Sequence, residues 1–235
     1  MSTPVAGNRL VLAGALLYLL EWVAIIAAGV SIPVGATASA HAVTSAYAGH
    51  ADAIGWSAGW FCVVEVGRIL VMVGLRAALP DVRRLRPLLD VAVIAMAVSV
   101  AVEIVVYAVA AGGAWSLANG GSAADVRVLD AVSYQLNETI YGPLGVAMLC
   151  AGWVMWKSGA FNRVLPVLAL AAGTLFTLLG LAFVAPRFSG VAQGLGAGAI
   201  LLWIWMVWTG VVLWRARPRA GSASSQSPTY DTAAV

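Results

Sequence analysis

Six apolar stretches, each close to the roughly 20 residues that carry a helix across a bilayer core, dominate this chain. They cover residues 10–30, 54–75, 88–111, 132–156, 164–185 and 191–214. At about 1.5 Å per residue such lengths match a hydrocarbon layer of roughly 30 Å. A chain with six of them has little choice but to fold as a bundle of membrane-spanning helices, since a spanning segment must satisfy its own backbone hydrogen bonds. The fourth stretch is the weakest, because "VSYQLNETIYGP" makes its first half polar. Composition agrees: 62% of residues are hydrophobic and 10% charged, against roughly 25% charged in a soluble domain. The first stretch resembles a signal peptide, with "GATASA" after it, but it is longer than a typical h-region and Glu21 interrupts it. We read it as a retained span.

Basic residues set the orientation. Arg9 precedes the first span, Arg76, Arg83, Arg84 and Arg86 surround the second connection, Lys157 and Arg163 hold the fourth, and Arg215, Arg217 and Arg219 follow the last. The alternate connections contain only Arg127 and Arg187. The positive-inside rule places both termini in the cytoplasm. The fold class is therefore an all-α integral membrane bundle of six helices, N-in and C-in. Residues 1–9 form a short cytoplasmic N-terminus, 10–215 the transmembrane domain, and 216–235 a Ser/Ala/Pro-rich disordered cytoplasmic tail. The first outer loop, residues 31–53, has room for a short helix over the outer face. Arginine outnumbers lysine, and Ala, Gly and Val abound. That usage reads as a high-GC bacterial genome, hence a bacterial cytoplasmic membrane. The partner is the lipid bilayer, and no nucleic acid is expected.

Against this background, charges inside the spans stand out. Away from its ends, each of the first four stretches carries one carboxylate, Glu21, Glu65, Glu103 and Glu138, and Arg68 follows Glu65 at i+3. Helix rise puts Glu21 and Glu65 roughly 15 Å from the inner boundary, with Glu103 slightly further out and Glu138 near the outer boundary. Ser99, Glu103 and Tyr107 recur at four-residue spacing, a polar stripe on one helix face. Tyr18 with Glu21, and Tyr134 with Glu138 and Tyr141, form similar stripes, with Gln135 and Asn137 beside the latter. These faces must turn inward, because an ionisable group in lipid costs at least about 2.5–3.5 kcal/mol. Four carboxylates against one guanidinium leave surplus negative charge, to be neutralised by a proton, water or a bound cation. Gly142-Pro143 lies one turn inward of Glu138; its proline frees the Thr139 carbonyl. A plain kink is the simpler reading, ion coordination by the freed carbonyl the alternative.

Other motifs carry less. "GWSAG" at 55–59 matches G-x-S-x-G, but it opens a helix and has no membrane histidine to serve as base. His41, His50 and Asp52 share the first outer loop without a fixing geometry, so neither a metal nor a cofactor is expected. Cys62 and Cys150 fall at opposite depths, too far apart for a disulfide. Gly190, Gly194 and Gly198 allow close helix packing, within the bundle or in a homo-oligomer. Trp214 suits an interfacial belt, whereas Trp203, Trp205 and Trp208 suit packing or lipid contact.

The order of these elements is similar to that of a bacterial six-span family described as domain of unknown function forty-three eighty-six. The first span with "GATASA", the short basic inner loop and above all "WKSGAFNRVLPVLALAAG" carry the resemblance. The run Lys157-Ser158-Gly159-Ala160-Phe161-Asn162-Arg163 resembles the family's basic–Ser–Gly–x–aromatic–x–Arg turn, with Asn162 where proline is common. The resemblance implies the six-span fold and no particular activity.

Two functions fit the sequence. One is binding or transport of a small solute or cation along a path lined by Glu21, Glu65, Arg68, Ser99, Glu103, Tyr107, Asn137 and Glu138. The other is a non-catalytic accessory or regulatory membrane protein whose buried charges are structural. An enzyme would need a nucleophile–base pair or metal cluster, and the sequence offers none that can be defended.

Overall fold

The computed structural model describes residues 4–29, 32–79, 82–182 and 197–216. Helices α1 (Pro4–Leu19) and α2 (Glu21–Ala28) make the first span, and a short α3 (Ala40–Tyr47) follows it. The second span is α4 (Ala51–Val64) with α5 (Val66–Ala78), and the third is α6 (Arg86–Ala118), entered through a 3₁₀ turn at Arg83–Leu85. Helices α7 (Ala123–Thr139) and α8 (Tyr141–Ser158) form the fourth, α9 (Val164–Ala182) the fifth and α10 (Ala197–Arg215) the sixth. No strand occurs among the described residues. Six helical segments are long and apolar enough to span a membrane. The protein is thus an all-α, multi-pass bundle.

Each span packs on its neighbours in sequence, and the sixth returns to the first, closing a ring. Glycine permits the tightest approach, between the first and second spans. A Cβ on Gly14 would lie 2.5 Å from the Gly67 carbonyl oxygen, and one on Gly67 would lie 2.7 Å from the Tyr18 nitrogen. The fourth and fifth spans meet in the same way: a Cβ on Gly173 would lie 2.8 Å from the Leu149 nitrogen. Such contacts replace the hydrophobic drive that helices lack once they are in lipid. The outer surface is apolar: Ile26 is 77% and Ile94 64% exposed, which lipid tolerates and water does not. The large core, with Val11, Val71, Met72, Met148 and Trp205, fills the half of the bundle nearer the basic connections. At that end three cations stack on tryptophans: Arg9 on Trp214 at 5.8 Å, Lys157 on Trp153 at 4.8 Å and Arg163 on Trp156 at 5.6 Å. Aromatic rings beside basic side chains mark the membrane–water boundary.

The structure departs from the sequence reading in helix length. The third and fourth spans run over Arg83–Ala118 and Ala123–Ser158, 36 residues each, or about 54 Å against a hydrocarbon core of roughly 30 Å. The polar half of the fourth span, expected to begin at 132, begins helical at Ala123 because Ser122 caps it: the Asp125 amide donates to Ser122 Oγ at 3.1 Å. The first helix likewise starts at Pro4 rather than at residue 10. The projecting ends of α6 and α7 form a platform for the segment after the first span. There α3, the short helix expected in the first loop, buries Val43 and Tyr47 against Ile54, Ala114 and Val126. The tail beyond Ala216, with Gly190 and Gly194, lies outside the described residues. Gly198 packs inside the bundle, where a Cβ would meet the Phe176 ring at 3.2 Å. Cys62 and Cys150 are free thiols.

Candidate functional site

The membrane charges converge where the helices are interrupted. Single-residue turns fall at Leu20 between α1 and α2, at Glu65 between α4 and α5, and at Ile140 between α7 and α8. At the first two the backbone tightens to i+3 bonding, Val23 N–H to the Leu20 carbonyl and Arg68 N–H to the Glu65 carbonyl, both at 3.1 Å. Mid-helix 3₁₀ turns of this kind mark hinges or strain more often than chance. The Leu20 carbonyl also accepts the Trp60 indole N–H at 2.7 Å, tying the first span to the second. The third interruption comes from Pro143, and Ser99 Oγ–H donates to the neighbouring Ile140 carbonyl at 3.2 Å. This Ser99 bond ties α6 to the kink.

Arg68 is the centre of the cluster. It is 1% exposed, and its Nη2 contacts Oε2 of Glu65, on its own span, and Oε2 of Glu103 across on α6. Its guanidinium also lies over the Tyr18 ring at 5.2 Å, on the first span. One cation therefore binds three helices. The Glu103 contact is a hydrogen bond; the Glu65 contact is an ion pair without hydrogen-bond alignment, so both Glu65 oxygens lack a hydrogen-bond partner. Glu21 is buried as well and makes no ion pair among the described residues. Its neighbours are Tyr18 and, from α10, Trp203, yet Glu21 Oε1 and Trp203 Nε1 both lack a hydrogen-bond partner. On the side away from the large core, Phe61 stacks on Tyr107 at 4.0 Å with planes 4° apart. That pair stands between the cluster and the α3 end.

Of the residues singled out from the sequence, Glu21, Glu65, Arg68 and Glu103 lie buried together around the first three spans, flanked by Ser99 and Tyr107. Glu138 and Asn137 stand apart. Both are half-buried on α7, Glu138 beside Tyr134 and Asn137 beside Tyr141, and neither pairs with Arg68. Trp203 was assigned to packing or lipid, but it also faces Glu21; indoles are common lipid-facing groups, so the sequence carried no signal for this. Ser57 of "GWSAG" sits within α4 and donates to its own Ala53 carbonyl at 2.7 Å. Among the described residues no three His, Cys, Asp or Glu side chains gather with metal-binding geometry.

A fourth buried carboxylate, Asp130, escaped the sequence reading. It is fully buried and accepts from the Tyr47 hydroxyl at 2.8 Å, the Val34 amide at 2.9 Å and the Gly35 amide at 3.2 Å. Those bonds strap residues 32–47 onto the projecting end of α7. Burial, and then the hydrogen bond to Asp130 and its charge, raise the Tyr47 phenol above its ordinary value of 10.0. Asp130 looked like one more polar residue in a connection; only the helical extension of α7 places it under the strap.

Together the fold and the site define a multi-pass integral membrane protein with an interior ionic cluster. No family model, curated protein or solved structure matches the chain.

Proposed function

We propose that the protein binds and relays protons, or a small cation in their place, at the Glu21–Glu65–Glu103 cluster in the membrane interior. One observation carries this reading. Of three buried carboxylates, two contact the Arg68 guanidinium, and the third, Glu21, has no ion pair among the described residues and retains an unpartnered oxygen. A buried carboxylate is stable only when neutralised or paired, so a site with surplus carboxylates is one that takes up positive charge. The hinge-like turns at Leu20 and Glu65 lie beside these carboxylates and supply a place for the helices to move. The membrane would be the bacterial cytoplasmic membrane, with both termini inside, in keeping with the resemblance to the six-span family of unknown function. The test is pH-gradient dissipation in proteoliposomes, with and without sodium or potassium. Wild-type vesicles should dissipate an imposed gradient faster than protein-free ones, and Glu21→Gln should abolish the difference. Equal rates with and without protein would refute the reading.

A second reading has its own observation: Arg68 braces three helices at once, as a purely structural pin would. In that case the protein is an accessory or regulatory membrane component, or assembles with itself, and crosslinking in native membranes should recover a stable complex.

A further inference from the structure

The turn between the fourth and fifth spans, Lys157-Ser158-Gly159-Ala160-Phe161-Asn162-Arg163, has no part in the ionic cluster, yet several contacts fix its shape. Gly159 ends α8 with a left-handed φ of 62°. The Ala160 amide donates to Ser158 Oγ and the Leu165 amide to Asn162 Oδ1, both at 3.2 Å, and the second bond caps α9. Phe161 is buried in the large core. Lys157 and Arg163 therefore leave the turn from fixed points, and both are exposed. Lys157 Nζ lies over the Trp153 ring and the Arg163 guanidinium over the Trp156 ring. Those two indoles are i and i+3, neighbours on one side of α8, and are 45% and 40% exposed. The Arg163 contact crosses from α9 to α8, so the two cations flank the seam between these helices.

We propose that this turn binds the phosphate headgroup of an anionic phospholipid. Charge is the first reason. No acidic residue occurs between Glu138 and Asp231, and among the described residues neither Lys157 nor Arg163 forms an ion pair. At the same end of the bundle, Asp90 pairs with Arg76 instead. The counter-ion of this cation pair therefore comes from outside the turn. Donor geometry is the second reason. An indole takes the flat face of the guanidinium and leaves its N–H edge free for phosphate oxygens, while the ammonium has three donors of its own. The third reason is what lies beneath. Deeper along the same helices, Val146 on α8 and Val167 on α9 are exposed; Val146 is seven positions from Trp153, and Val167 four from Arg163, so each continues its helix face. Charge, boundary indole and apolar helix thus follow one another in the order that phosphate, glycerol backbone and acyl chain require. Basic sites between spans hold anionic headgroups in this way. A soluble phosphate would meet the cations and leave the apolar strip unused.

The test is native mass spectrometry of the full chain in detergent, equilibrated with equal amounts of phosphatidylglycerol and phosphatidylethanolamine. Wild type should retain phosphatidylglycerol several-fold over phosphatidylethanolamine. Lys157→Gln combined with Arg163→Gln should cut that preference several-fold, and Lys157→Arg should keep it. Both side chains are exposed, so their replacement spares the core. Arg83→Gln combined with Arg84→Gln removes the same charge from exposed residues of the other basic turn and should leave the preference intact. Three results would overturn the proposal: no preference in wild type, an unchanged preference without Lys157 and Arg163, or an equal fall without Arg83 and Arg84. Excess inorganic phosphate should not displace the lipid, and displacement would assign the turn to a soluble anion instead. Lipid retention is read without any flux measurement, so it stands or falls separately from the proton relay.

Discussion

Replacing Arg68 with methionine tests the cluster most directly. The substitution keeps much of the side-chain volume and removes the cation that, among the described residues, pairs with Glu65 and Glu103. Taking one partner from a buried ion pair costs about 3–5 kcal/mol, because the remaining charge stays buried and unpaired. The cation–π contact with Tyr18 contributes about 0.5–2 kcal/mol by itself. Reversible unfolding in mixed micelles, followed by tryptophan fluorescence, should therefore show Arg68→Met less stable by about 3–5 kcal/mol. Replacing Arg68, Glu65 and Glu103 together by methionine should recover most of that loss, since exchanging a whole buried pair for apolar groups is often neutral. A single-variant loss below about 1 kcal/mol, the value of an exposed pair, would refute the placement of Arg68 as a buried three-helix brace. No recovery in the triple variant would show that the loss comes from packing rather than charge.

Glu21→Gln should behave oppositely to Arg68→Met. Neutralising the carboxylate that has no ion pair should leave stability unchanged or raise it by about 0.5–2 kcal/mol, as at other strained functional positions, and the same unfolding assay reads it. Gly14→Ala should cost about 1–3 kcal/mol by overpacking against Gly67, with Gly55→Ala, where a Cβ meets nothing within 4 Å, as the silent control. Asp130→Ala leaves the Tyr47 hydroxyl and the Val34 and Gly35 amides without their acceptor. Hydrogen exchange over residues 32–47 should then rise sharply while the spans stay protected. Because the Tyr47 phenol is raised above 10.0 in the fold, its contribution is complete below pH 10 and lost as pH climbs beyond it. Tyr47→Phe should accordingly weaken the strap at neutral pH and blunt its further loosening in strong alkali, again by hydrogen exchange.

Much of the architecture was legible because hydropathy and helix rise are local properties. The six spans follow from runs of apolar residues, and the i, i+3 spacing of Glu65 and Arg68 already placed those two on one face. The depth argument likewise set Glu21, Glu65 and Glu103 near one level. Where the sequence reading fell short, the cause was polarity. Residues 123–131 read as a connection because they are hydrophilic, although a capped helix can leave the membrane and continue in water. The strap and its Asp130 anchor were hidden for the same reason. Glu138 and Asn137 share the chemistry of the cluster but sit too far along α7 to join it.

By itself, then, the sequence determined that this chain must cross a membrane as six helices and must bury charge in doing so. Lipid neither solvates backbone amides nor tolerates exposed carboxylates, so composition and spacing suffice for both conclusions. Which carboxylates the single arginine serves, and which it leaves over, was decided by the ring of helices. Gly14 against Gly67 brings the first two spans into backbone contact, the packing of α5 against α6 brings Glu103 to Arg68, and the first and sixth spans bring Glu21 beside Trp203. Those pairings depend on contacts between residues far apart in the chain, and no local pattern encodes them.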